Sequence, residues 1–140
     1  MLPDNVREFC TNNHRGVLTA FRRNGGAQMS IVTCGAYGEG VAFTVTETRA
    51  KLHLLRRNSN CTLLVSAEEW RPFVVLEGQA RILSADNTGA NELRLALRDV
   101  YRAAAGEAHS NWDEYDAAML TDRRSAIVVA PTHIYGTALD

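Results

Sequence analysis

Thr44-Val-Thr-Glu-Thr-Arg-Ala-Lys-Leu-His-Leu-Leu-Arg-Arg57 is the stretch on which the reading of this chain turns. Val41, Phe43 and Val45 alternate with Ala42, Thr44 and Thr46, the period-two signature of a half-buried strand. The pattern then changes to Ala50, Leu52 and Leu55, interleaved with Arg49, Lys51, Arg56 and Arg57, which predicts a basic helix. Thr48 is the expected N-cap, its hydroxyl accepting from an unpaired backbone N–H. A helix N-terminus presents free N–H donors and about half a positive charge, so Arg49 and Lys51 in its first turn would make a pocket for a phosphate. A solvated basic helix face is the plainer alternative, and local chemistry leaves both open.

Upstream of this corner, Pro3 to Asn12 predicts a short helix, with Val6, Phe9 and Cys10 at i, i+3 and i+4. Residues 16–21 and 27–34 read as strands joined by Arg22-Arg-Asn-Gly-Gly26, whose Asn-Gly pair is a strong hairpin signal. Gly35-Ala-Tyr-Gly-Glu-Gly40 reads as the next reversal; its glycines lack the spacing and the strand-to-helix context of a nucleotide loop.

Downstream, residues 61–66 and 73–83 read as strands, the second carrying Gly78 as an expected bulge. A helix is predicted from Asp86, with Leu93, Leu97, Val100 and Ala104 on one face and Gly106 as its stop. A second short helix spans 112–120, and Ser125 to Ala130 with Ile134-Tyr135 forms the last strand. Six strands with hairpin connections imply an antiparallel sheet closed as a small barrel, mainly β with flanking helices, in a single domain over residues 1–140.

Charge and motifs restrict the function classes. Fifteen basic residues against 16 acidic ones argue against a general nucleic-acid or anionic-membrane binder. No apolar run approaches the ~20 residues of a membrane span, and no leader pattern is visible, so a cytoplasmic protein is expected. Cys10, Cys34 and Cys61 are expected to be reduced thiols, and His14, His53, His109 and His133 lack metal-ligand spacing. No nucleophile motif appears. Gln28 and Ser30 share a strand face, where they are either solvent-facing or placed to hydrogen-bond a flat heterocycle. Trp70 is read either as a lid on the core or as a wall against an aromatic ligand.

The corner Thr48-Arg-Ala-Lys-Leu-His-Leu-Leu-Arg-Arg57, with Gln28-Met-Ser30 before it and Val75-Leu-Glu-Gly-Gln-Ala-Arg81 after it, resembles the pyridoxamine 5'-phosphate oxidase-like split β-barrel family. Residues 101–115, 118–124 and 133–136 bring it nearer the branch that binds the deazaflavin coenzyme F420. The resemblance implies a six-stranded split β-barrel and a homodimer with cofactor sites at the interface. It implies phosphate contacts from Arg49 and Lys51, with Thr46 and Thr48 in the same corner. It also implies ring contacts from Gln28, Ser30, Ile31 and Val32, and Trp70 approaching from the partner subunit. The implied activity is F420-dependent hydride transfer to a small organic acceptor. An FMN-binding oxidase of the pyridoxamine-phosphate type and a non-catalytic deazaflavin carrier are the alternatives. His53-Leu54 and Asn58-Ser59 depart from the family's usual residues after the corner.

Overall fold

Alternation of buried and exposed positions lays down the first hairpin. In the computed structural model, which describes residues 2–140, strand β1 (Arg15–Phe21) buries Gly16, Leu18 and Ala20 and leaves the intervening side chains partly exposed. It pairs antiparallel with β2 (Ala27–Thr33), Leu18 opposite Ser30. The connecting turn is held by Arg22 N–H donating to the Gly26 carbonyl at 2.9 Å and by Gly26 N–H donating to Asn24 Oδ1 at 2.8 Å.

The remaining elements are α1 (Asp4–Asn12), β3 (Gly35–Tyr37), β4 (Gly40–Val45), α2 (Ala50–Arg57), β5 (Asn60–Ser66), β6 (Phe73–Leu83), α3 (Ala90–Ala105), α4 (Trp112–Thr121) and β7 (Ser125–Tyr135), closed by a 3-10 turn at Thr137–Leu139. The seven strands form one sheet in the order β2-β1-β5-β6-β7-β4-β3, and every pairing is antiparallel.

That order dictates the curl. β2 and β3 lie at opposite edges, so a flat sheet would hold them about 29 Å apart, at about 4.8 Å per step. Only Cys34 separates Thr33 from Gly35, and such a link spans at most about 7 Å. The two edges therefore meet, and the sheet wraps into a split barrel. Gly35 permits the junction to seat against α3, because a Cβ there would overlap the Ala103 carbonyl.

Inside the barrel Leu18, Phe43, Leu63, Leu76, Ile127 and Val129 are buried together, with Val6 and Cys10 of α1 and Leu52 and Leu55 of α2 packed into the same cluster. A second cluster lies on the outer face, where Leu93, Leu97 and Val100 of α3 and Tyr115 of α4 cover Ala42, Ala126 and Val128. β4 and β7 are thus covered on both faces, which explains their near-continuous apolar runs. Gly78 sits at the register shift of β6 against β7, as its position in a long strand predicts.

Three local expectations are corrected. Residues 35–37 are not part of a reversal but a short strand paired with β4, because Tyr37 and Gly40 close a tight turn; they add a seventh strand to the six expected. Helix α3 begins at Ala90 rather than Asp86: Asn87 donates from Nδ2 to the Ile82 carbonyl and accepts at Oδ1 from the Ser84 N–H, so residues 84–89 are wound into a turn. Thr48 does not cap α2; the cap position is Arg49, and no side chain bonds the helix start.

Candidate functional site

The corner between β4 and α2 is held by backbone bonds and by no side-chain cap. Arg49 N–H donates to the Thr46 carbonyl, and Leu52 N–H to the Arg49 carbonyl, each at 3.2 Å. No side chain caps the helix and no acidic residue lies in its first turn. The positive end of the helix dipole therefore meets no acidic side chain of its own first turn. Leu52 and Leu55, both buried, fix the helix on the barrel and set the direction of this end.

Cations gather at the same end. Lys51 is half-buried, and its amine is held below the usual lysine range, first by burial and then by Arg49 and Arg124. A lysine depressed by two guanidinium neighbours marks a positive field that lacks its counter-charge. The nearest acid of the stretch, Glu47, is already committed: its carboxylate takes a fork from Arg56 at 2.7 and 3.1 Å, which holds its carboxyl below the usual range. Arg57 is committed as well, donating to the Phe21 carbonyl at 2.6 Å. Of the basic run, Arg49 and Lys51 are left for an outside anion, and Arg56 and Arg57 brace the helix.

Arg124 is the residue that local sequence reasoning missed. It follows α4, donates from Nη1 to Thr44 Oγ1 at 3.1 Å, and lies 3.7 Å from Asp122 through Nε, an atom buried without a hydrogen-bond partner. No spacing rule links positions 44, 51 and 124; the pairing of β4 with β7 brings them together.

The proposed ring-lining residues are divided by the strand pleat. Gln28, Ser30 and Val32 face the barrel interior, Val32 within the main core, while Ile31 is 80% exposed on the outer face beside Met29 at 65%. Ser30 Oγ is buried with no hydrogen-bond partner among the described residues. One flat ring can meet the side chains of only one of these faces. β2 is an edge strand, however, and an edge presents unpaired backbone N–H and C=O groups. Gln28 is partly held by Arg22, whose Nε donates to its Oε1 at 3.4 Å. Thr46 is half-buried and Thr48 exposed, both at the corner.

Trp70 is neither core nor lid. It is 55% exposed, in the loop between β5 and β6, and its backbone adopts φ 70, the left-handed region unfavourable to a bulky side chain. A large apolar ring displayed in this way leaves more than half of its surface available to another surface.

Two cavities flank Arg124. The larger, of about 770 Å³, lies between α3, α4 and the 84–86 loop; the smaller, of about 410 Å³, is lined by Thr33, Thr44, Tyr101, His109 and Tyr115 among others. Around the smaller one Tyr101 packs edge to face with His109, Trp112 and Tyr115, as Trp112 does with Tyr115, and Tyr115 donates from its hydroxyl to the Leu97 carbonyl at 2.7 Å. Burial pushes the Tyr115 phenol up to about 12. Cys10, Cys34 and Cys61 are free and buried, and burial raises their thiols to about 12, 12 and 11, which leaves them as thiols at neutral pH and not as nucleophiles.

Family comparison agrees with this architecture over nearly the whole length. A model of the family described as pyridoxamine 5'-phosphate oxidase matches residues 2–138. The chain belongs to that family. Solved structures with the same fold include an F420 reductase, 21% identical, with 95% of this chain and 98% of that one covered at a TM-score of 0.64. A conserved hypothetical protein from Mycobacterium tuberculosis superposes at a TM-score of 0.75, with 13% identity and coverage of 99% and 88%. The heme storage protein HutZ from Vibrio cholerae superposes at 0.69, with 10% identity and coverage of 96% and 94%. At these identities the likeness is one of fold. No described helix is long and apolar enough to cross a membrane.

Proposed function

We propose that this pyridoxamine 5'-phosphate oxidase family member is an F420-dependent oxidoreductase that transfers a hydride between the deazaflavin and a small organic acceptor. The observation that carries the reading is the uncompensated positive corner: an uncapped helix start, Arg49, and a lysine whose amine is depressed by burial and by two arginines. A phosphate there would offset the burial and the two guanidiniums that depress the Lys51 amine and would supply an acceptor at the helix start. The residues fit the phosphate of either F420 or FMN. The bound deazaflavin would supply the hydride chemistry itself.

The chain's own residues would bind and orient. Arg49, Lys51 and Arg124 would hold the phosphate, each charge-assisted contact contributing about 1.5–3 kcal/mol. Thr46 and Thr48 would border it. The free edge of β2, with Gln28, Ser30, Ile31 and Val32, would offer backbone donors and acceptors to the flat ring. A homodimer would bring Trp70 of one chain against the site of the other, consistent with its display in a bulky-unfavourable backbone conformation. Met29 and Ile31, exposed together on the edge strand, suit the same contact.

A second reading keeps the fold and replaces F420 by FMN; the family description, that of an oxidase of pyridoxamine 5'-phosphate, favours it. The discriminating experiment supplies reduced F420 to the purified chain with a panel of quinones, enones and nitroaromatics. Acceptor-dependent oxidation of the deazaflavin is expected. Tight FMN that deazaflavin does not displace would transfer the reading to the flavin oxidase. Deazaflavin binding with no turnover on any acceptor would make the protein a carrier.

A further inference from the structure

The larger cavity adjoins the positive corner, sharing Glu47, Arg56 and Arg124 with it, and differs from it in its floor. Its floor is apolar, built by Leu93 and Leu97 of α3 and Met119 and Leu120 of α4, and Leu120 is 79% exposed at the rim. At about 770 Å³ it falls within the range of small-molecule sites. The concave apolar floor, extended at its rim by Leu120, is the feature that suits a ligand.

The charges on its rim do not cancel. Glu47 is paired with Arg56, Asp116 with Arg98 at 2.5 Å, and Asp86 with the Ser84 hydroxyl. The lining carries Arg56, Arg94, Arg123 and Arg124 against Glu47, Asp86 and Asp116, an excess of one positive charge, and Arg94 is itself held by Asn91 and Asp116. Arg124 has only a loose contact to Asp122 at 3.7 Å, and the Arg123 guanidinium meets no carboxylate within ion-pair distance among the described residues.

The backbone supplies an independent observation. Arg124 N–H donates to the Met119 carbonyl at 3.0 Å and Arg123 N–H to the Leu120 carbonyl at 3.2 Å, so the helix ends in a Schellman-type turn. The left-handed position of that turn, normally glycine or asparagine, is filled by Arg123 at φ 50. An arginine in that conformation costs conformational energy that glycine would avoid. Its side chain lines the cavity beside Arg124.

We propose that the cavity between α3 and α4 is a binding site for a small amphipathic carboxylate, with its acidic head on Arg123 and Arg124 and its apolar body on Leu93, Leu97, Met119 and Leu120. The inference needs neither Lys51 nor a cofactor; it shares Arg124 with the proposed phosphate site, and Arg123 and the apolar floor are what distinguish the two. It assigns the α3–α4 cavity a ligand that differs from a phosphate in carrying a single charge and an apolar body.

The test is calorimetric titration of the full chain, without cofactor, by 2-naphthoate and by its neutral counterpart 2-naphthamide. Saturable binding of one naphthoate per chain is expected, with the amide weaker by about tenfold, the worth of a charge-assisted contact. Arg123→Gly, which keeps the left-handed turn, should weaken naphthoate by about tenfold with the melting temperature unchanged or raised. Leu120→Glu, at an exposed position, should weaken it through like-charge repulsion without unfolding the chain. Lys51→Ala should leave naphthoate affinity within about twofold while lowering affinity for inorganic phosphate. Absence of saturable binding, equal affinity for acid and amide, or indifference to both Arg123→Gly and Leu120→Glu would overturn the proposal. Loss of naphthoate binding in Lys51→Ala would also overturn it, by placing the probe in the corner.

Discussion

Arg124 donates from Nη1 to Thr44 Oγ1 at 3.1 Å, a bond between residues 80 positions apart in the chain. It ties the turn after α4 to the strand that leads into the basic corner, and it holds a guanidinium close enough to Lys51 to depress its amine. The corner is therefore assembled by the pairing of β4 with β7 as much as by the local sequence.

Arg124→Gln should remove one charge from that assembly and the bond to Thr44. The expected result is about tenfold weaker binding of the cofactor phosphate and a loss of about 1 kcal/mol in stability. Thr44→Val should reproduce the stability loss with a smaller effect on binding. Denaturant unfolding and ligand titration of the two variants separate the effects; equal binding losses would mean that Arg124 acts only by bracing β4.

Lys51 provides a pH signature. Its amine is depressed in the folded chain, so the unfolded chain binds the proton more readily between the folded and unfolded values. Its positive charge thus opposes folding below the folded value, and the opposition fades as pH rises towards the usual 10.5. A bound phosphate favours the charged amine, so anion binding should take up a proton in the alkaline range. Affinity for inorganic phosphate should fall as pH rises, beginning below that ordinary value, and Lys51→Met should flatten the profile. A profile unaltered by Lys51→Met would remove this amine from the site.

Trp70 separates stability from binding. Glycine accepts φ 70 without strain, so Trp70→Gly should raise stability by up to about 1 kcal/mol. The same variant should weaken dimer or cofactor contact, read by sedimentation and by fluorescence titration. A destabilised variant would show that the ring packs within its own chain after all.

Gly35 tests the barrel junction. A Cβ there meets the Ala103 carbonyl and the Ala104 nitrogen, so Gly35→Ala must push α3 from the sheet edge. A loss of about 1–3 kcal/mol is expected by chemical denaturation. A change within about 0.5 kcal/mol would indicate that α3 yields without cost.

Periodicity made the barrel strands legible, because each buries alternate residues or an unbroken apolar run. Residues 35–37 escaped because a three-residue strand rich in glycine has no period to detect. The start of α3 escaped because Asn87 turns the chain with its own side chain, a choice that competes with helix at Asp86. In the corner, a helix start with Arg49 and Lys51 after a strand was legible locally, while their proposed phosphate role came from the family resemblance. Arg124 was not legible locally, since its contribution exists only through the sheet register. The strand face of Gln28 and Ser30 was legible from alternation, whereas its inward direction depended on which edge of the sheet β2 occupies.

The central claim is that the corner holds a deazaflavin phosphate. Fluorescence titration of the wild-type chain, Arg49→Ala and Lys51→Ala with F420 and FMN side by side tests it most directly. Wild type is expected to bind F420 more tightly than FMN, and each variant to lose about 10–100-fold in F420 affinity. Unchanged F420 affinity in both variants would contradict it.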